Sequence, residues 1–459
     1  MSELGKAIQT WLAEVSVPTS VFSPGVGVTA APSWQGVLAA VARVAQPDLR
    51  PDLYTPGSDP AEFRSDWFLY RTGVAAMIDR ARLGSAVDLE LLATELERAV
   101  QLPQPPVEDW LLLDAELTST TSIQVGAWQL VTPGSAALRR LAPVPSAQFD
   151  APSGYRMEAD LLGHAAFLVR EDPDGKPAGG MFAHLVSRPE IQVWQPLITL
   201  ALWRTDVISM QAKYRVEAGR RVDRIWGEPA TRLATFGPGD DDYEEIHGTG
   251  LWEVADSESA ALAAFCSAVS MMIDDVLSRA TTASKQSPQA KVARRLARAS
   301  QHVVRASHRS YPDGQVDSEE RDEIVLHYVI AAEALLADEA NLDLSRKVSH
   351  RAAALFLTDE ERLRVKKVIG GGYSARSSYA HGDDVKAVDV RELREVVLAV
   401  LLRTLVIQSS GSEQVHAVLD KSLFSEAARR GEVAAPLQRF YATTPPATTP
   451  RDLAQPLPP

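Results

Sequence analysis

The chain of 459 residues contains one cysteine, Cys266. That excludes an intrachain disulfide and any zinc site built from several thiolates. Set between Phe265 and Ser267 in an apolar stretch, the thiol reads as core packing. No run approaches the roughly 18 uninterrupted apolar residues of a membrane span. The opening MSELGKAIQTWLAEVSV lacks the basic-then-apolar layout of a secretory signal, so a cytoplasmic protein with no membrane partner is expected. A Walker-type phosphate loop is missing, because GPGDDD has no Lys-Ser or Lys-Thr end. His302, His308, His327 and His350 form no convincing metal-ligand set, and the acidic run GDDDYEE (239–245) lacks the ligand spacing and turn glycine of a calcium loop. Neither a metal nor a cofactor is expected, and the acidic run reads as a solvated loop.

What is present is an ordinary globular composition, 45% hydrophobic and 23% charged. The length exceeds what one core usually organises, so two or three folded domains are expected. The net charge of −13 argues against a nucleic-acid-binding surface over the whole molecule. The charge is uneven, however. Residues 285–410 hold 20 Lys+Arg against 18 Asp+Glu, and the remainder holds 27 against 42. Any nucleic acid should therefore bind the C-terminal part.

The chain reads as multidomain, an α+β N-terminal region followed by an all-α bundle, and residues 1–255 form the α+β region, as one or two subdomains. DLELLATELERAV (88–100) carries a helical stripe of Leu91, Leu92, Leu96 and Val100. AAFLVRED, IQVWQPLITLALW and ISMQAKYRV have strand-like or mixed periodicity between turn signals such as PDGK. Residues 256–284 read as one helix, with Ser257 or Ser259 as N-cap, followed by a linker. Residues 411–459 read as a helix and a Pro/Thr-rich tail too poor in large apolar residues to pack.

Between 288 and 408 four helices are traced by apolar stripes, and together they make an all-α bundle. The first aligns Val292, Leu296, Ala299 and Val303, leaving Arg294, Arg295 and Arg298 on a basic outer face. The second aligns Val325, Tyr328, Val329, Ala332, Leu335 and Leu336, with Glu333 at the stripe's edge. The third aligns Leu344, Val348, Leu355 and Phe356, and a fragment from Thr358 passes Leu363 and Val368 to the pair Gly371 and Gly372. The last aligns Val390, Leu393, Val397, Val400, Leu401 and Thr404, with more apolar residues than one face of a small bundle needs.

AAEALLAD (331–338), SRKVSHRAA (345–353) and YSARSSYAHG (373–382), in that order and spacing, resemble the Apea-like branch of the HEPN superfamily. The resemblance covers about a quarter of the chain. It implies that Arg376 and His381 fall on the paired Arg and His of the family's ribonuclease motif, Ser377 on its small polar position and Gly382 on the following glycine. Glu333 falls on the acidic position of the second helix and Arg351 on the basic position of the third, the latter with a structural role open. The resemblance further implies metal-independent RNA cleavage, a homodimer whose two motifs face one another, and a place in bacterial defence or toxin systems.

The residue chemistry fits that assignment. Attack of a 2′-hydroxyl on the adjacent phosphate needs proton transfer near neutrality, the work of an imidazole, here His381. The charge gathering on the phosphorane calls for a fixed guanidinium, here Arg376. Five residues of unbroken helix turn about 140°, so the two groups do not share a face squarely. Gly382 is suited to end the helix just after His381. Glu333 reads as the salt-bridge partner of Arg376 or Arg351 in preference to a catalytic group. The expected molecule cuts RNA with Arg376 and His381, its basic face of Arg294, Arg295 and Arg298 contacts RNA, and its acidic N-terminal region restrains it until a trigger, such as a phage-derived one, arrives. The alternative is a catalytically inactive module that dimerises or binds RNA.

Overall fold

A computed structural model describes residues 2–17, 28–48, 53–55, 62–65, 68–69, 74, 78, 81–82, 87–101, 107–113, 115–117, 122–131, 166–172, 193–204, 208, 210–217, 221–227, 252–281, 284, 286–309, 318–338, 343–381, 388–411 and 414–444. Most of these are helical, and the strands gather into one antiparallel sheet and a short parallel pair. An α+β part followed by a helical part is thus what the chain forms. The acidic run 239–245, Gly382 and the tail from 445 lie outside the described residues.

Helices α1 (Glu3–Val15), α2 (Pro32–Val44) and α3 (Leu89–Gln101) build a core of their own. Ser2 caps α1 by accepting from the Gly5 amide at 3.1 Å, which leaves Leu4, Ile8, Leu12 and Val15 on one buried face. Trp11 stacks obliquely on Trp34 with centroids 4.7 Å apart, and its indole N–H donates to the Val28 carbonyl at 2.9 Å. On α3, Leu92, Leu96 and Val100 are buried as the stripe predicts, whereas Leu91, one position off the i, i+4 row, turns to solvent.

The sheet is formed by β1 (Val107–Leu113), β3 (Ile123–Val125), β4 (Trp128–Val131), β5 (Ala166–Asp172), β6 (Met210–Glu217) and β7 (Arg221–Gly227), in the order β3-β4-β5-β1-β6-β7. Strands β2 (Ala115–Leu117) and β8 (Trp252–Val254) pair parallel to one another. A cross-strand row of Leu130, Leu168 and Leu111 faces the helices. Two residues further along β1 on the same face, Asp109 is 2% exposed and is held by Arg170 at 3.1 Å and Lys213 at 3.3 Å. The turn between β3 and β4 needs Gly126 in the left-handed region at φ 60°, and it rests on Ser270.

IQVWQPLITLALW does not become a strand. Trp194–Arg204 form helix α4, with every residue from Pro196 to Trp203 buried. A run buried on all sides has no polar phase to reveal its period.

Helix α5 (Ser259–Thr281) follows a turn at 256–258, where Glu258 accepts from the Ala255 amide and pairs with Arg204. With that turn it is long and apolar enough to cross a membrane, the one such helix among the described residues. One face of it packs inside the chain, with Leu262, Phe265, Cys266, Val269, Ile273 and Val276 buried, while Met271 on the other face is 64% exposed. Burial pushes the Cys266 thiol far above its ordinary range, in keeping with its reading as core.

The remaining longer helices are α6 (Pro288–Arg309), α7 (Ser318–Leu336), α8 (Leu344–Ala354), α9 (Asp359–His381), α10 (Val390–Ser410), α11 (Val415–Phe424) and α12 (Ala435–Thr443), with short helical turns at 426–434 between the last two. The stripes of α6, α7 and α10 are buried at the expected positions, save Val292 and Val390, which are partly covered. Two expectations need correcting. Leu363, read as part of the apolar stripe, is 69% exposed on helix α9, which runs through Gly371 and Gly372 to His381. Helix α10 is buried without interruption from Leu393 to Gln408, because α4, α5, α6, α7, α9, α11 and α12 surround it. Its surplus of apolar residues is thus satisfied within one chain and carries no argument for a dimer.

One core joins Leu111, Leu130 and Leu168 of the sheet to Leu197, Phe265, Leu296, Val325, Leu393 and Phe440. None of the α1–α3 core belongs to it. In packing, the described residues divide between Gln101 and Val107, since the strands bury a face against α4 and α5.

Candidate functional site

Tyr373 to His381 of the motif occupy the last turns of α9. At the other end of that helix Thr358 and Glu361 cap reciprocally: Thr358 Oγ1 accepts from the Glu361 amide at 3.2 Å, and Glu361 Oε2 accepts from the Thr358 amide at 3.2 Å. The helix then lies against α7, α8 and α10. Gly372 lets α9 approach closely, because Val329 of α7 and Leu393 of α10 crowd the space that a Cβ there would take. One turn further along both helices, Arg376 meets Glu333 and forms an ion pair with it. Glu333 is thereby assigned to Arg376 and not to Arg351.

Glu333 also lies beside the Tyr373 hydroxyl. Burial first, and then the neighbouring carboxylate, raise the phenol well above its ordinary range, so it stays protonated. The Arg376 side chain is about one-third exposed, at 34%, against 16% for its partner. An ion pair anchors it while part of the side chain stays open to solvent, a disposition in which a cation can meet a phosphate.

Ser374, Ser377 and His381 follow one another at helical spacing and are all exposed. His381 is the last residue of α9. Arg376 faces α7 while His381 faces solvent, so one chain presents the two motif residues on different sides of the helix, as the spacing predicts. Lys366 and Lys367 are exposed further back on α9. His350 of α8 is held below the ordinary imidazole range by burial and by Lys366 and Arg346.

Arg351 is not part of this cluster. Its side chain is 4% exposed and donates to Asp420 at 2.8 Å and 2.7 Å, to Asp338 at 2.8 Å and to the Leu336 carbonyl at 2.7 Å. It ties the end of α7 and the body of α8 to α11, a structural duty that removes it from the site. The Arg351 hydrogen bond, reinforced by Lys347, holds the Asp338 carboxyl down at about 2.

The basic face of α6 divides. Arg294 and Arg298 are exposed, as expected of RNA contacts, but Arg295 is partly buried and its Nη1 lies 3.3 Å from His416 Nδ1 of α11. Helix α6 packs against α4, α5, α7 and α10, whereas the motif helix packs against α7, α8 and α10. The stripe of α6 gives no sign that α11 covers Arg295, so the basic outer face is corrected to Arg294 and Arg298. The acidic partners of Arg351 were also missed, although a basic residue three positions from Val348, on the apolar face of SRKVSHRAA, is a signal that buried carboxylates must exist.

Among the described residues no three His, Cys, Asp or Glu side chains cluster in a way that could hold a metal ion. Comparison of the chain with protein-family models, with curated proteins and with solved structures finds no match.

Proposed function

We propose that this chain is a metal-independent endoribonuclease of the Apea-like HEPN type, acting in the cytoplasm as a homodimer in a defence or toxin role. The observation that carries the reading is the end of α9: a partly exposed Arg376 anchored by Glu333, next to exposed Ser377 and five residues before exposed His381. In this reading His381 moves the proton of the attacking or leaving oxygen, and Arg376 takes the charge of the phosphorane. Arg294 and Arg298 serve the RNA backbone electrostatically. Because the two motif residues point to different sides of one helix, a facing second motif supplies what a single chain separates, and two-fold pairing is the commonest way to bring it there. The acidic region before the bundle is the part to which a trigger would bind.

Incubation of the purified protein with total RNA and with tRNA in EDTA tests the reading. Cleavage with 2′,3′-cyclic phosphate and 5′-hydroxyl ends is expected. Intact RNA, or cleavage that EDTA abolishes, would overturn it.

A second reading, an inactive RNA-binding module, is favoured by the carboxylate that already neutralises Arg376. Glu333→Gln separates the two. In the enzyme it loosens Arg376 and slows cutting, whereas in the binding module it leaves no cutting to lose and tightens RNA binding.

A further inference from the structure

We infer that a single RNA strand held at the end of α9 continues back along the exposed side of that helix and sets its phosphates on Lys366 and Lys367, an inference that rests on the ribonuclease reading. From Arg362 to His381 the helix carries five Lys and Arg and no Asp or Glu. Three of the five have carboxylate partners: Arg362 pairs with Asp359, Arg364 with Glu392 and Arg376 with Glu333. Lys366 and Lys367 are exposed and form no ion pair among the described residues.

Helix α8 adds to the same sign of charge. Its residues His350 and Arg346 lie close enough to Lys366 for the two cations, after burial, to hold the imidazole below its ordinary range. Arg346 itself is paired with exposed Asp343. A phosphate arriving at Lys366 therefore meets attraction from several cations and relieves their mutual repulsion.

Helical geometry joins these lysines to the motif. Eleven residues make about three turns, so Lys366 and Ser377 stand on one side of α9, with Gly370 and Ser374 between them and His381 one turn beyond. The side chains in between are small and leave low relief along the helix. The rise from Lys366 to His381 is about 22 Å, so a strand reaches the lysines several nucleotides away from the scissile bond. Arg294 and Arg298 lie on another helix, whereas these lysines lie on the one that carries the motif. A lipid surface fits less well, because a helix lying on lipid needs an apolar face and Leu363 is the one exposed large aliphatic residue of α9 among the described residues.

The test measures binding and cutting separately on the full-length protein. A twelve-nucleotide single-stranded RNA is titrated by fluorescence anisotropy against protein carrying His381→Ala, which prevents cutting, between about 50 and 200 mM salt. Adding Lys366→Gln and Lys367→Gln should weaken binding about tenfold at the lower salt and flatten the slope of log K against log salt by about 1.4, roughly 0.7 for each phosphate contact. Lys6→Gln with Arg98→Gln, which removes the same charge from exposed positions of α1 and α3, should leave binding within about twofold. Cutting of the same RNA is then followed with His381 intact. Binding that depends on the two lysines, in a chain that cuts no RNA, would support this path and sink the ribonuclease reading. Cutting by the unaltered chain, with binding and rate unchanged in the lysine variant, would overturn the path alone. Absence of RNA binding, equal weakening in the Lys6 and Arg98 control, or tighter binding to anionic lipid vesicles than to RNA would also overturn it.

Discussion

A methyl placed on Gly372 would lie 3.1 Å from Val329 Cγ2 and 3.3 Å from Leu393 Cδ1, whereas one placed on the adjacent Gly371 would meet nothing within 4 Å. Both glycines are helical, so each forgoes about 1 kcal/mol of helix propensity relative to alanine. Gly371→Ala should recover that amount and raise the melting temperature. Gly372→Ala should give it back with interest, because forcing α9 away from α7 and α10 costs about 1–3 kcal/mol. Thermal melts of the two single variants, moving in opposite directions, check this.

Arg351 gives the second prediction. It is buried, and its loss would leave the Asp338 carboxylate without its main partner. Arg351→Ala should destabilise by about 3–5 kcal/mol, as breaking a buried pair from one side does. Asp420→Ala should cost much less, since that carboxylate is 46% exposed and water replaces part of what is lost. Urea denaturation ranks the two.

Acidification supplies the third. His302 Nδ1 lies 3.1 Å from His327 Nδ1, and burial, with Arg305 and Arg298 close by, lowers the His302 pKa to about 4. In the unfolded chain this imidazole takes up its proton near 6.5, so between about pH 6.5 and 4 the unfolded state holds more protons. Stability should therefore fall as pH drops through that window, and His302→Gln should flatten the slope there. Asp338 acts in a separate window: its stabilising contribution is intact above about pH 4 and is lost as pH falls toward 2. Denaturation midpoints at half-unit steps of pH distinguish the two.

On the ribonuclease reading, His381→Ala should lower the cleavage rate about a hundredfold or more. As an exposed residue at a helix end, it should leave the stability of the fold within about 0.5 kcal/mol. Rate and melting temperature measured on the same preparation check both halves, and full activity in the variant would remove His381 from the chemistry.

The helices of the bundle were legible because their stripes are one-sided. Val325, Tyr328, Val329, Ala332, Leu335 and Leu336 repeat at helical spacing, and all are buried. The Glu333–Arg376 pair was legible as one of two options, since Glu333 sits at the edge of that stripe with two arginines as candidates. What failed was whatever depends on a third element. Leu363 and Leu91 are apolar but exposed, at 69% and 44%, and α4 has no polar phase. Local pattern reports that a residue could be buried; only the arrangement of distant segments decides whether it is.

The shared core has a consequence for how the protein comes apart. The leucine row of the sheet and the bundle residues Leu393 and Phe440 belong to one apolar body, so strands and helices offer no seam along which either could detach intact. The helices before Gln101 are a separate body. Calorimetry should accordingly register two heat-absorption peaks, one for the first hundred residues and one for everything after, and a proteolytic cut near 101–107 should release a piece that still melts cooperatively. Excising 285–410 alone would strip α4 and α5 from α10 and leave a fragment whose largest exposed surface is its own interior.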